Sequence, residues 1–156
     1  LAACTSATQV TAPAAEDFGP DDVCESNGLR PFDHPGPKGQ LHLADRTRPV
    51  FFCDTVELLH SVLTEPRPQR ILAAYVQDAG RSEWMAPRGQ WIDARSAWYV
   101  GGSKRIGPLG TTLAPFSDAA SADAFRSAFG GETLRFSEIT PDHVALDGGA
   151  LHDTRM

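Results

Sequence analysis

Soft-ion or thiol chemistry needs sulfur, and this chain of 156 residues offers three cysteines, Cys4, Cys24 and Cys53, and two methionines, Met85 and Met156. The densest stretch runs from Cys24 to Gln40, CESNGLRPFDHPGPKGQ, and adds an imidazole at His34 and a rigid turn at Pro35, Gly36 and Pro37. Cys24, His34 and Cys53, with Met85 as a helper, are the side chains that could gather round a soft metal ion, because thiolate and thioether sulfur select such ions. The same thiols have two other uses. Cys24 and Cys53 can pair, closing a loop of about 30 residues and stabilising the fold by about 3 to 4 kcal/mol on the chain-entropy account. Either one could instead form a thiolate–imidazole pair with His34, but the chain has no nucleophile elbow and no evident third orienting residue, so an enzyme is not expected. Asp78, Glu83, Asp93 and Asp118 read as caps and solvated charges, and His152 and Met156 lie in a Gly-rich tail that makes poor ligands of them.

The hydropathy pattern places these residues on short strands and two helices. Gln40 to Leu43 alternates as a strand, Pro49 to Cys53 is an apolar run of strand length, and a charged turn between them makes a hairpin. Asp54 followed by Glu57 is a capping box, and Val56, Leu58, Leu59, Val62 and Leu63 form the apolar stripe of a helix over Thr55 to Thr64, stopped by Pro66 and Pro68. His60 sits on that helix as a boundary residue. Arg70 to Gln77, Gln90 to Asp93 and Ala97 to Val100 are further strands, and Gly101 to Gly110 is a Gly-rich basic loop that lacks GxGxxG spacing. A second helix spans Ala119 to Phe129, capped by Ser117 or Asp118 and ended by Gly130 and Gly131, with a strand at Thr133 to Phe136 after it. Two echoes divide the chain: Phe52-Cys53-Asp54 against Phe116-Ser117-Asp118, and Pro37-Lys38-Gly39-Gln40 against Pro87-Arg88-Gly89-Gln90. The pattern predicts an α+β fold of two ββα units with antiparallel strands, over 21–68 and 69–144, with a flexible tail at 145–156.

Composition limits the partners. A formal charge of −6 and a pI near 5.2 leave no basic stripe for phosphate, which argues against nucleic acid. No apolar run reaches the length needed to cross a bilayer. Leu1-Ala2-Ala3-Cys4 reads as a trimmed lipobox, with Cys4 as the site of lipid attachment, and 5–20 as a Thr/Ala/Pro-rich flexible tether. On that reading the domain is exported and held to a membrane surface by its lipid.

The stretch His34 to Gln40, HPGPKGQ, resembles the opening signature of the NosL family, which follows a Cys-Gly-Met motif often written Cys-x-x-Cys-Gly-Met. Further likeness lies in Tyr75 to Asp78, Trp91 to Arg95, Ala97 to Val100, Gly107 to Gly110, Pro115 to Asp118 and the Gly130-Gly131 helix end. The resemblance implies two small treble-clef-like halves and a membrane-anchored copper chaperone on the periplasmic side of a bacterial membrane. It also implies Cu(I) as cargo, assembly of the copper centres of nitrous oxide reductase as the task, and that enzyme or a membrane transporter complex as partner. Family ligands are sulfur atoms, and by position they fall on Asn27, Leu29 and Leu109, none of which carries sulfur. Two readings follow: impaired Cu(I) binding with Leu preserving the packing of Met, or a site rebuilt on Cys24 with His34, Cys53 or Met85. An alternative to copper handling is a non-metal interaction module that keeps the docking surface.

Overall fold

The computed structural model of the protein describes residues 11–146; Cys4, His152 and Met156, and with them the lipobox reading, lie outside these. Two antiparallel sheets form the frame. In the first, β1 (Gly39–Leu43) is flanked by β2 (Val50–Phe52) and β3 (Ile71–Gln77), and β4 (Trp91–Asp93) extends the far side. In the second, β5 (Trp98–Gly101) is flanked by β8 (Ala114–Phe116) and β9 (Glu132–Arg135). Between β5 and β8 the chain makes a small hairpin of β6 (Ile106–Gly107) and β7 (Gly110–Thr111). Helix α1 (Thr55–Thr64) joins β2 to β3, and α2 (Ala119–Phe129) joins β8 to β9.

The two halves therefore repeat one topology. Each has a central strand, a second strand paired to it, a helix, and a third strand returning to the centre's other side: β1-β2-α1-β3 and β5-β8-α2-β9. The echo at Phe52-Cys53-Asp54 and Phe116-Ser117-Asp118 falls on equivalent joints, where strand passes into helix. The second echo does not: Pro87 to Gln90 precede β4, which has no counterpart to β1's central place. Three strands escape the periodicity reading: β6 and β7, whose hairpin falls on the predicted Gly-rich loop, and β8, whose Pro115 masks it. Pro115 is tolerated because β8 is an edge strand, with β5 as its strand partner and its Pro115 carbonyl accepting from the Ala79 N–H. The first sheet also draws β3 and β4 from beyond residue 68.

Both helices begin on an aspartate in extended backbone. Asp54 accepts from the Val56 amide at 3.0 Å, and Asp118 accepts from the Ser121 amide at 2.7 Å, satisfying donors that the first turn leaves free. Helix α2 ends on Gly130, at φ 76°, whose N–H reaches the Arg126 carbonyl. One continuous core joins the halves: Leu41, Phe52, Leu58, Leu59 and Val76 from the first unit pack with Tyr99, Leu113, Leu134 and Val144. Full burial of each such side chain stabilises the fold by about 1.5–3 kcal/mol, and α1 supplies two of them with no exposed surface, Leu58 and Leu59. A second apolar layer, Trp84, Val100, Phe116 and Phe125, lies under α2.

The segment before the first unit is more ordered than its composition predicts. Phe18 is buried and meets Phe51 and Trp91 edge-on at 5.8 and 6.2 Å. The Gln40 amide exchanges two hydrogen bonds with the Glu16 backbone, and the Tyr75 hydroxyl donates to the Pro13 carbonyl at 2.6 Å. Low average hydrophobicity hid one well-placed phenyl ring and a row of backbone groups that pair with buried polar side chains. A tether reaching to residue 20 is thus shortened by this strap along the first sheet. None of the described helices is long and apolar enough to cross a membrane.

Candidate functional site

Three segments converge on the start of α1. The first is the turn Cys24 to Leu29, which closes on itself: the Gly28 N–H donates to the Cys24 carbonyl at 2.9 Å and the Cys24 N–H to the Leu29 carbonyl at 2.7 Å. Gly28 permits this by adopting φ 70°. Cys24 and Cys53 form a disulfide with a Cα–Cα separation of 5.5 Å, fastening the turn to the residue before the helix cap. Both cysteines are buried. The pairing that the sequence left open is therefore made, and in this oxidised form neither sulfur is a thiolate.

Asn27 and Leu29, at two of the positions where the family places sulfur, stand on that turn. The Asn27 amide donates to Glu57 Oε1 at 2.8 Å, and its carbonyl oxygen accepts from the Leu29 N–H at 3.0 Å. Glu57 does not complete the predicted capping box on Asp54; its buried carboxylate instead accepts from the Asn27 amide on the adjoining turn.

The second segment is His34 to Gln40. Gly36, at φ 85°, donates to the Trp84 carbonyl at 2.7 Å, and a Cβ there would stand 3.2 Å from the Gly107 Cα. Lys38 is fully buried. Its ammonium donates to the Pro35 carbonyl at 2.8 Å, and its backbone N–H to Gln77 Oε1 at 2.9 Å. Gly39 is required by α1, since a Cβ would come within 2.8 Å of Leu58. His34 is half-buried at the rim, and among the described residues its ring makes no hydrogen bond.

The third segment is the β6–β7 hairpin with Thr112. Gly107 faces Asp54 so closely that a Cβ would lie 2.4 Å from Asp54 Oδ2, and the Thr112 hydroxyl donates to Asp54 Oδ1. Thr55 is held by Leu113 in the same joint. Leu109, the third sulfur position of the family, is half exposed at the hairpin tip, whose turn uses Gly110 at φ 105°. Trp84 donates its indole N–H to the Ile106 carbonyl at 3.1 Å, so exposed Met85 stands beside this hairpin. His60, by contrast, bonds the Val144 carbonyl at 3.0 Å, a boundary role.

The electrostatics of this joint are those of charge buried between two units. Burial pushes Asp54 above the usual carboxylate range, against the pull of the Thr112 hydroxyl, the Val56 N–H and Lys38. Glu57 is raised by burial and by Asp54, opposed by Ser26 and Asn27. Burial brings Lys38 down to about 8, with Asp54 opposing. Among the described residues Asp54 Oδ2 and Glu57 Oε2 have no hydrogen-bond partner, so each keeps an oxygen open to water or a cation. Sequence reasoning took Asp54 and Glu57 as caps alone and passed over Lys38 and Gly107; the signal available was a lysine inside a Pro-Gly-Pro turn that leads directly into an apolar strand.

The structure thus brings Cys24, Cys53, Asn27 and Leu29 together, carries Leu109 to the same joint through Gly107 and Asp54, and leaves His34 and Met85 on its rim. No cluster of three or more His, Cys, Asp or Glu suited to a metal ion occurs among the described residues. Asn27 offers a hard oxygen engaged with its neighbour, Leu29 and Leu109 offer no lone pair, and a disulfide is a poor donor, so the oxidised site does not match the sulfur ligation that Cu(I) prefers.

Fold and site together define a small α+β protein of two repeated units, with two loops from one unit and a hairpin from the other closed over a single helix start. The family model of NosL matches residues 15–144, and the chain belongs to the NosL family. The copper-binding lipoprotein NosL of Stutzerimonas stutzeri is 38% identical over 143 residues, covering 87% of this chain and 73% of that protein. The protein of the same name from Achromobacter cycloclastes is 36% identical over 132 residues, covering 80% and 67%. The crystal structure of the copper chaperone NosL from Shewanella denitrificans superposes with a TM-score of 0.78 at 32% identity, over 85% of this chain and 99% of that one. The solution NMR structure of apo-NosL from Achromobacter cycloclastes gives 0.51 at 34% identity, over 68% and 87%.

Proposed function

We propose that this protein is a copper-handling accessory protein rather than an enzyme, carrying Cu(I) as cargo for the assembly of the copper centres of nitrous oxide reductase. On this reading it meets that enzyme or a membrane transporter complex, and works on the periplasmic side of a membrane to which Cys4 binds it through lipid. The observation that carries the reading is the geometry of the frame: the His34 to Gln40 loop, the α1 cap and the β6–β7 hairpin assemble as one joint. Relatives that share the fold are named as copper proteins. Because Asn27, Leu29 and Leu109 bring no sulfur, the oxidised protein binds Cu(I) weakly.

Restoring the sulfurs tests this. The variant Asn27→Cys, Leu29→Met, Leu109→Met, titrated with Cu(I) against a competing chelator, gains tight one-to-one binding if the frame is that of the chaperone site. An unchanged, weak affinity in a folded triple variant overturns the assignment. A second reading, a docking module without metal, is favoured by the exposed apolar side chains Met85, Ile106 and Leu109 beside the same joint. It expects capture of the copper enzyme or transporter by the wild-type chain with copper removed, and loss of capture in Ile106→Asp.

A further inference from the structure

The disulfide fastens the turn that carries Asn27 and Leu29, two of the positions where the family places sulfur, to the residue preceding the α1 cap. Cys24 and Cys53 are the only thiol-bearing residues among those described. Outside them, the sulfur of Met85 is on the rim. The pair also sits differently in the two units: the joint equivalent to Cys53 is Ser117 in the second, which has a hydroxyl and no bridge. Sulfur is present at one joint only, and that joint is the one sealed by loops from both halves.

We propose that the Cys24–Cys53 disulfide is a latent Cu(I) site, opened by a dithiol reductant and closed again by oxidation. The inference rests on the copper-handling reading above and names the ligands and the condition under which they act. Cys24 stands in a turn whose next four residues, Glu25, Ser26, Asn27 and Gly28, are exposed, whereas Cys53 has no exposed surface. Opening that short turn presents Cys24 Sγ first. A thiolate of the reductant bonds to Cys24 Sγ as the sulfur–sulfur bond breaks, and the electron pair departs on Cys53 Sγ, next to the N-terminal end of α1, where partial positive charge favours an anion. The reductant's second thiolate then attacks its own sulfur in the mixed disulfide and releases Cys24 as thiolate. The protein gains two electrons and two protons; the reductant is oxidised to its own disulfide. Cu(I) then displaces the two thiol protons and bridges the sulfurs without changing oxidation state. Two thiolates at low coordination number suit Cu(I) and exclude harder ions. The Asn27–Glu57 hydrogen bond and the Cys24 turn's bond to the Phe51 carbonyl through Glu25 keep the two segments in register once the covalent link is gone.

The test uses the full chain in a Cys4→Ser background, so that the remaining thiols are the two in question. Cu(I) is titrated against a competing chelator in the oxidised protein and after anaerobic reduction with dithiothreitol and its removal. X-ray absorption at the copper edge reads the ligands, a thiol count reads the redox state, and circular dichroism reads the fold. The reduced protein is expected to bind one Cu(I) about 100-fold more tightly than the oxidised one, with two sulfur ligands, and Cys24→Ser and Cys53→Ser each to abolish the difference. Equal affinity in the two redox states overturns the proposal, as does tight binding by the reduced serine variants. If reduction unfolds the chain, copper must restore the native dichroism; failure to do so also overturns it. Tight binding by the oxidised protein, indifferent to both serine changes, would preserve the copper reading and reject this one, whereas no binding in either state would reject both.

Discussion

Lys38 provides a direct measure of how the joint between the units is built. Its ammonium has no exposed surface, and burial brings it from the usual 10.5 down to about 8. A lysine depressed on folding is less protonated in the folded chain than in the unfolded one between those two values, so unfolding takes up a proton and stability rises with pH across that window. Below pH 8 the cost of the buried charge is fully present; above 10.5 it is gone. The whole difference is about 3 kcal/mol at 1.36 kcal/mol per pH unit. Asp54 and Glu57 act oppositely: raised on folding, they contribute stability below their unfolded values that is lost as pH rises through their folded ones. Tyr99, also raised by burial, contributes a loss of stability only above its usual value of 10. Comparison of the wild type with a variant lacking the amine therefore isolates the share of Lys38 between pH 7.5 and 9.5. Urea unfolding of the oxidised protein across that range should show a gain of about 2 kcal/mol over Lys38→Met, which keeps the length and removes the charge. A wild-type curve that does not rise relative to that of the Met variant refutes the account of Lys38 as a desolvated ammonium.

Three further perturbations probe the frame. Replacing Cys24 and Cys53 together by Ala removes a link spanning 29 residues, which should cost about 3.5 kcal/mol and lower the thermal midpoint by about 10 °C; differential scanning calorimetry reads this, and an unchanged midpoint would deny the bridge its constraint. Gly107→Ala drives a methyl group onto buried Asp54, and chemical denaturation should show a loss of about 1–3 kcal/mol. A neutral Gly107→Ala would mean that the hairpin does not seal the cap. Phe18→Ala should cost about 3 kcal/mol and make the chain before residue 20 a substrate for limited proteolysis; resistance equal to the wild type would show that the strap is held without its ring.

Helices α1 and α2 were legible because apolar spacing, an aspartate cap and a Pro or Gly stop agreed at each, and their bounds coincide with those read from the sequence. The central strands were legible by alternation. What local patterning could not reveal was anything decided between distant segments. β8 reads as a loop because Pro115 withholds a donor, a fact that matters only on the inner side of an edge strand. β6 and β7 are two residues each, below any period. Phe18 looked like part of a tether since its partners Phe51 and Trp91 lie far along the chain. The site was half visible: His34 to Gln40 located it and the missing sulfurs at Asn27, Leu29 and Leu109 could be read off directly. The turn of Glu57 toward Asn27, the sealing of Asp54 and the union of Cys24 with Cys53 depend on three-dimensional approach.

The hairpin inserted between β5 and β8 gives the duplicated topology its asymmetry. Asp118 caps its helix in open solvent, whereas Asp54, its twin, is closed over by residues lent from the other repeat. Without the hairpin of the other repeat, Asp54 would face water as Asp118 does. Asp54, Glu57 and Lys38 thus owe their burial to the pair of repeats rather than to either one: lifting the hairpin of one from the helix of the other would return the two carboxylates and the lysine to water together.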